Sequence, residues 1–437
     1  MLKIRSHHMF KCFSIIILCL IYSCMLNGQN LIYDNAVYVD YIKTVKMHSG
    51  GDSGIMTFPT VNLDSNVDGV LKLKFDDMEG GFKEYTYRIV HCDKDWFPSD
   101  LQEIEYMEGF NDEEITNYGF STNGYSEYTN YNLYLPNDNI RWTVSGNYLL
   151  IITDREMDVP VITRRFIVNE DAININSQMI KPRDVSKINT HHEFKLTVSY
   201  QNFDIDQPQL ELYTTMMQND NWNAAKSNLT ATYERGESII LDQYDYISFP
   251  AIKEFRNFDI RPLSYTTEFV NTIDQSEIET TVLLDLNKLY THGSPVSEID
   301  ANGYFIIDNE RYRDPEVSSE YCKVIFNLEH DREFDQDLYI IGAFSDWQAK
   351  EEFKLEYDPS RNLYLGSAYF KQGYYNYMFA LEDEDTGQIS MDAAEGSWFE
   401  TENDYLIIVY YREFGGLYDR IVAVQKFNSN APTRGRR

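Results

Sequence analysis

A few residues of this 437-residue sequence have the types that catalysis or metal binding needs, but not the arrangement. The run Gly51-Asp52-Ser53-Gly54 surrounds a serine with turn residues, yet no nucleophile, base and orienting group follow in a workable order, so it predicts a glycine turn. His191 and His192 begin a predicted strand and point to opposite faces, so they cannot chelate one metal together. Asp64, Asn66 and Asp68 alternate as in a calcium loop, but Gly69 is misplaced and a polar turn is favoured. We therefore predict no catalytic residue, cofactor or metal site.

The stretch from residue 82 to residue 112 is the most informative part of the chain. Residues 85–90 alternate as in a half-buried strand, and a polar loop with large aromatic side chains replaces the strand at His91. Long loops on an all-β scaffold usually carry binding surfaces. The sequence therefore predicts an interaction surface here, formed by the following residues: Asp93, Asp95, Trp96, Phe110, Asn111 and Asp112. For Trp96 the choice between an exposed anchor and a ring folded over its own sandwich stays open, whereas Phe97, just before Pro98, is predicted to pack inward.

The sequence of this stretch resembles that of the type IX secretion system plug proteins of the Bacteroidetes. The shared runs are HCDKDW and PSDL with GFND at residues 91–112, YNLYLPND at 131–138, SGNYLL at 145–150, TRRFIV at 163–168 and EGSWFETENDYLIIVYYREFGGLYDR at 395–420. Several separated motifs in the same order make the resemblance specific. It implies a non-enzymatic protein that binds and occludes the periplasmic end of the giant outer-membrane barrel (SprA or Sov) of that system.

The net charge and the N-terminal segment are consistent with an exported protein. The chain has 70 acidic and 38 basic residues, which give a net charge of −32, so nucleic acid and anionic lipid repel it. Residues 1–28 have the basic start and short apolar run of a signal peptide. Cleavage after Gly28 is favoured over a lipidated Cys24, and it leaves the protein in the periplasm, where membrane association comes through the barrel partner.

Strand signals separated by turn clusters predict an all-β chain of tandem immunoglobulin-like sandwiches. The predicted ranges are 29–170, 171–292 and 293–428, followed by a disordered tail at 429–437. Cys92 and Cys322 then lie in different units, so two separately buried thiols are favoured over a disulfide.

The third unit supports an alternative function. Residues 338–379, with GAFSDW and KQGYYNYMF, look like glycogen- and starch-binding modules of immunoglobulin-like fold. That likeness implies sugar stacking through Trp347, helped by Tyr375 or Tyr377, in a periplasmic or surface glycan-binding protein. The opposing interpretation is that Trp347 seals one end of the sandwich core, because a fold does not dictate a function.

Overall fold

The computed structural model describes residues 31–50, 56–65, 69–122, 124–289 and 301–430. The predicted signal segment with Cys24, the turn at Ser53, and Asn66 and Asp68 of the calcium-like run lie outside these residues. Most of the predicted tail lies outside them as well.

Strands make up nearly all regular structure of the described residues, which confirms the predicted all-β class. The first part of the chain contains β1 (Ala36–Val37), β2 (Ile42–Ser49), β3 (Thr60–Asn62), β4 (Leu71–Asp77), β5 (Tyr85–Cys92), α1 (Glu103–Tyr106), β6 (Met107–Gly109), β7 (Glu113–Glu114), β8 (Asn117–Phe120), β9 (Thr129–Leu135), β10 (Ile140–Trp142), β11 (Gly146–Asp154) and β12 (Val159–Asn169). The next part contains β13 (Asn174–Ile180), β14 (His191–Ser199), α2 (Pro208–Glu211), β15 (Leu212–Gln218), β16 (Lys226–Leu229), β17 (Tyr233–Glu234), β18 (Ser238–Leu241) and β19 (Ser248–Pro250).

The later strands complete the fold. They are β20 (Arg256–Asp259), β21 (Val270–Gln275), β22 (Thr280–Leu284), β23 (Asn287–Lys288), β24 (Phe305–Ile307), α3 (Pro315–Ser318), β25 (Tyr321–Glu329), β26 (Asp337–Ile341), β27 (Lys354–Asp358), β28 (Leu363–Lys371), β29 (Gly373–Glu382), β30 (Ile389–Ser390), α4 (Met391–Glu395), β31 (Asp404–Tyr411) and β32 (Arg420–Asn428). Short 3-10 turns occur at Val185–Lys187, Trp222–Ala224, Ala343–Ser345 and Glu351–Phe353.

The first unit is a sandwich of two sheets. One sheet has the strand order β1-β12-β11-β5-β7, with β3 parallel to β12, and the other has the order β2-β4-β9-β8. Inward-facing side chains from both sheets, such as Phe75, Tyr131 and Tyr148, form one buried apolar cluster between them. This packing of two sheets over one core is what alternating apolar residues in each strand produce.

The middle unit is a second sandwich whose strands come from two distant parts of the chain. One sheet is β13-β14-β18-β17 with β19 beside β14, and the other is β16-β15-β31-β32. Strand β15 pairs with β31 from Leu212 opposite Tyr411 to Gln218 opposite Tyr405. The core includes Phe194, Leu212 and Tyr405, so the C-terminal hairpin is an integral part of this unit.

The third unit is an eleven-stranded sheet that encloses its own core. Its order is β20-β29-β26-β27-β28-β25-β22-β21, with β23 beside β25 and with β24 and β30 beside β29. Phe258 of β20, Val282 of β22 and Phe370 of β28 meet in the same buried cluster. Residues 256–284, predicted as part of the middle unit, thus pair with strands of the third.

The strand pairing is therefore discontinuous, whereas each predicted range is continuous. Alternation identifies β31, β32 and β20–β22 as strands, but it does not say which sheet edge will accept them. The ranges stay a prediction about independently folding units. The sheets themselves interlace the middle and third parts of the chain.

Two strands are buried on both faces, and they join the first and middle units. Along β11, Leu150 and Ile152 face the first core, whereas Leu149 and Ile151 face outward. Along β31, the residues that face outward are Leu406, Ile408 and Tyr410, and they share one apolar cluster with those of β11. We call this cluster the apolar seam. It explains why both strands are almost uninterrupted apolar runs, since neither face of either strand meets water.

Candidate interaction surface

The turn after β5 is held by the side chain of Asp93. Its Oδ1 accepts hydrogen bonds from the backbone N–H groups of Asp95 and Phe97, both at 2.9 Å. The Trp96 N–H donates to the Asp93 carbonyl at 3.0 Å, and Trp96 has a positive φ of 68°. An aspartate that caps its own turn is a common device for fixing such a loop. Asp93 is consequently a positioning residue for the turn.

The structure buries Trp96, which was predicted to belong to the interaction surface, and exposes Phe97. Trp96 is only 5% exposed and lies in the apolar seam, whereas Phe97 is 66% exposed. Trp96 meets Trp222 of the middle unit edge-to-face at 5.1 Å, and the guanidinium of Arg165 lies 4.5 Å from the Trp96 ring centroid. The prediction that Phe97 packs inward is wrong, because the left-handed residue at 96 sends the two side chains in opposite directions.

Asn111 fixes the second half of the predicted surface. Its Oδ1 accepts from Ile89 N–H at 2.7 Å, and its Nδ2 donates to the Ile89 carbonyl at 2.9 Å and to Glu103 Oε1 at 3.0 Å. Both backbone groups of a residue in β5 are thereby satisfied by one side chain. Asn111 is half-buried and structural, while its neighbours Phe110 and Asp112 are exposed, Phe110 by 76%.

The turn between β31 and β32 lies against the Asp93 turn. Asp419 Oδ2 accepts from Lys94 N–H at 2.9 Å, and Asp95 accepts from Asn228 Nδ2 at 2.8 Å. Within that β31–β32 turn, Phe414 is 88% exposed. Residues from the first unit, the middle unit and the C-terminal hairpin thus meet at this end of the molecule.

His91 holds three segments together beneath this surface. Its Nδ1 lies 2.8 Å from Ser99 Oγ, and its Nε2 lies 3.1 Å from the Ser145 carbonyl oxygen. Because the carbonyl can only accept, Nε2 carries the proton and Nδ1 accepts from the serine. Burial lowers the pKa of His91 to about 4, so the ring is neutral at neutral pH. The ring also packs on Tyr106, Tyr148 and Tyr418.

The contact between the first and third units is charged, in contrast to the apolar seam. Asp76 and Lys371 are fully buried and 2.6 Å apart, and Asp76 also accepts from Tyr321 O–H at 2.6 Å. Glu316 of α3 lies 2.7 Å from Lys46 and 3.1 Å from Lys74. We call these residues the charged seam. Burial alone would raise the pKa of Glu316, but Lys46, Lys74 and Lys371 together lower it to about 2.

A cleft of about 650 Å³ lies beside the charged seam. Its lining includes the apolar residues Ile42 and Phe353 and the charged residues Lys43, Glu351 and Glu352. Lys43 pairs with Glu352 across the two units at 2.5 Å.

The predicted sugar-stacking residues are buried rather than exposed. Trp347 is 6% exposed, packs on Phe255 at 5.7 Å, and would lie 2.1 Å from a Cβ placed at Gly303. Tyr375 is stacked between Phe258 and Phe305, and the Tyr377 ring meets Phe326 in the same core. None of the three presents a face to solvent, so the expectation of sugar stacking through them is corrected. They fill cores because each lies on an inward position of its strand or turn.

Other predictions about side-chain chemistry concern the thiols and the histidine pair. Cys92 and Cys322 are buried free thiols, as predicted. His192 is buried and bonds Tyr405 O–H and the Phe399 carbonyl, whereas His191 is partly exposed and bonds Thr190, so the two rings do point apart. Within the described ranges, no group of three His, Cys, Asp or Glu side chains could hold a metal ion, and no helix is long and apolar enough to cross a membrane.

Sequence reasoning missed three exposed apolar side chains near the predicted surface: Phe97, Ile104 and Phe414. For Ile104 a signal exists, because it stands alone among the acidic residues of α1. It also missed Arg165, which bridges Trp96 and Trp222. A basic residue inside an apolar strand is the signal that could have found it.

Comparison with known proteins agrees with the resemblance seen in the sequence. Residues 42–170 match the family model described as "Type 9 secretion system plug protein 1st domain". No curated protein matches the chain.

Among solved structures, the chain is similar to a hypothetical protein from Parabacteroides merdae ATCC 43184. The sequence identity is 27%, the TM-score is 0.86, and the alignment covers 92% of this chain and 100% of that one. Three N-terminal domains of the Highly Immunogenic Outer Capsid protein of bacteriophage RB49 also align, at 9% identity over 88% of this chain and 97% of that one, but with a TM-score of 0.12, which carries no argument.

Proposed function

We propose that this chain, whose residues 42–170 match the first domain of the type 9 secretion system plug proteins, is a non-enzymatic periplasmic plug. It binds and occludes the periplasmic end of the giant outer-membrane barrel (SprA or Sov) of the type IX protein secretion system. The family match supports the plug role.

The main support for the proposal is that buried contacts hold the three sandwiches together as one body. The apolar seam joins the first and middle units through Leu149, Trp96 and Leu406. The charged seam joins the first and third units through the buried Asp76–Lys371 pair. A protein that obstructs a wide pore must keep its shape under load, and such buried contacts resist bending.

The middle and third units are also in direct contact. Asp220 of the middle unit accepts from Tyr304 O–H of the third at 2.6 Å, and it pairs with Lys426 at 2.9 Å. Asn223 Nδ2 donates to the Trp347 carbonyl at 2.9 Å. Each unit therefore contacts both others through hydrogen bonds or apolar packing, which supports a stopper that acts through shape.

A reversible plug needs an interface that is moderate in size and rich in polar contacts. Of the predicted surface, Asp95, Phe110 and Asp112 are exposed. The exposed side chains of Phe97 and Asp100, which were not predicted to belong to it, add an aromatic ring and a carboxylate nearby in the chain. Exposed aromatic anchors with a polar rim supply much of the binding energy at such interfaces.

Two measurements test this proposal. The tagged full-length protein, isolated from native membranes, should bring down a giant β-barrel. Deletion of the gene should increase the permeability of the outer membrane to dyes that normally do not enter the periplasm. Expression of the full chain should restore the normal permeability. Recovery of polysaccharide-utilisation proteins instead of a barrel, or an envelope no leakier than before, would overturn the proposal.

A further inference from the structure

Three exposed aromatic rings form a continuous patch at one edge of the first sandwich. The ring centroids of Phe82 and Tyr118 are 4.9 Å apart, and those of Tyr118 and Phe120 are 5.6 Å apart. The three side chains are 45%, 39% and 52% exposed. We call them the edge patch. Contiguous apolar side chains at a protein surface mark binding sites more often than scattered ones do.

The edge patch is an uncovered continuation of the first core. Tyr118 of β8 lies opposite Tyr131 of β9, and their rings are 5.8 Å apart. Directly opposite residues on neighbouring strands share a face of the sheet, and Tyr131 is fully buried in the core. Tyr118 and Phe120 therefore face the interior side of the sandwich, yet remain open to solvent. A segment that covered them would extend the core by one strand.

The backbone beside the edge patch is also open. Strand β8 is the last strand of its sheet, in the order β2-β4-β9-β8. Among the described residues, no further strand pairs with its outer side. In an antiparallel strand, alternate residues direct their N–H and C=O groups away from the existing partner. Such an edge is a template for one more extended chain.

The other face of β8 is closed by the third unit. A Cβ at Gly119 would lie 2.9 Å from Val317 Cγ1. Just beyond β8, Thr122 N–H donates to the Val317 carbonyl at 2.8 Å, so the third unit also holds the chain where the strand ends. Strand β8 is thus supported from behind by α3. The edge is fixed in position, so an incoming segment would find a preformed site and lose little free energy to ordering it.

Several exposed carboxylates lie near the edge patch in the sequence. Glu79 and Glu84 flank the loop that carries Phe82, Glu114 precedes β8, and Glu127 follows the β8–β9 turn. Lys83 pairs with Glu79 and Arg155 pairs with Glu84, whereas Glu114 forms no ion pair within the described residues. The complementary partner carries apolar side chains at alternate positions, with lysine or arginine beside them.

From these observations we propose that the edge patch and the outer edge of β8 bind an extended segment of the translocon barrel, which adds to the sheet as a fifth strand. The segment is apolar at alternate positions and basic at its flanks. The side chains of Phe82, Tyr118 and Phe120 provide its pocket, and the outward backbone groups of β8 provide its hydrogen bonds. This inference rests on the proposed function, because it names a second part of the plug that contacts the barrel.

The test compares two double variants of the full mature chain. In Y118S/F120S the edge patch is lost, and because both side chains are partly exposed we expect the fold to be retained. The matched control is Y233S/Y244S, because Tyr233 lies on the edge strand β17 and both tyrosines are exposed. Binding of each protein to the detergent-solubilised barrel is measured with the wild type alongside, and folding is checked by circular dichroism.

We expect Y118S/F120S to weaken binding at least ~30-fold, which corresponds to about 2 kcal/mol, while Y233S/Y244S binds as the wild type does. Hydrogen exchange on the wild-type complex should show new protection of amides within residues 117–120. Equal binding by Y118S/F120S, or unchanged exchange at β8, overturns this inference and leaves the plug function standing. A wild-type chain that does not bind the barrel overturns the proposed function and this inference with it.

Discussion

At the scale of single residues, neighbours in the sequence can lie in opposite environments, one buried and one exposed. In the turn after β5, Trp96 is packed against Trp222 and Arg165, whereas Phe97 stands in solvent. The positive φ at Trp96 makes this possible. Both residues are aromatic, so the sequence does not distinguish them. Only a substitution of the buried Trp96 should affect folding.

We expect Trp96→Ala to lower the free energy of unfolding by about 3–5 kcal/mol, because it leaves a cavity in the apolar seam. The matched control, Phe97→Ala, should change that free energy by less than ~0.5 kcal/mol, since its ring is exposed. Urea denaturation followed by circular dichroism measures both. Similar losses for the two variants would contradict the placement of Trp96.

Glu316 makes the stability of the charged seam depend on pH. Its pKa falls from an unfolded value near 4.5 to about 2 in the folded protein. A lowered pKa means that the unfolded chain binds the proton more readily, so the stabilisation is complete above about pH 4.5 and is lost as the pH falls towards 2. The full effect is on the order of 3 kcal/mol.

We therefore expect Glu316→Gln to be less stable than the wild type at neutral pH and to show a flatter stability curve between pH 4.5 and 2. The control is Glu114→Gln, at an exposed glutamate on the short edge strand β7, which should follow the wild-type curve. Thermal unfolding across this pH window compares the three proteins. A Glu316→Gln curve as steep as that of the wild type would show that the carboxylate is not held by the lysines.

At the scale of elements, the C-terminal hairpin does not belong to the sheet that precedes it in the sequence. Strand β31 pairs with β15 along its whole length, and Tyr405, Ile407 and Val409 enter the middle core. Its other face supplies Leu406 and Ile408 to the apolar seam. The hairpin thus contributes to the middle core and to the apolar seam that joins the first and middle units.

A chain that ends at residue 400 should fail to fold its middle unit, because β15 loses its partner β31 and the middle core loses six buried side chains. We expect it to be insoluble or rapidly cleaved by a protease within residues 171–250. A chain that ends at residue 430 keeps every described strand and should resist the protease as the full chain does. Equal resistance of the two truncations would contradict the assignment of the hairpin.

At the scale of the whole molecule, the balance of charge shapes how the protein meets a partner. Removal of residues 1–28 would take away three basic residues and move the net charge from −32 to −35. Such a body is attracted over long distances to basic surfaces, and salt screens that attraction.

We expect the association rate with the purified barrel to fall by about tenfold or more between 50 and 300 mM NaCl, while the dissociation rate changes less, since steering acts on the encounter. Stopped-flow or surface-based kinetics measures both rates. Association that does not depend on salt would show that charge plays no part in docking.

The sequence by itself determined the all-β class, the strands, the two free thiols and the family resemblance, because alternation and turn residues are local properties. It also contained the continuous apolar runs of β11 and β31, which are typical of strands buried on both faces. What it did not contain is the identity of the surfaces that those strands meet. Only the tertiary structure decided that β31 and β32 complete the middle sheet, that Trp96 is inside and Phe97 outside, and that Trp347, Tyr375 and Tyr377 fill cores. Each of these depends on a contact between residues far apart in the chain, and neither propensity nor periodicity carries information about such a contact.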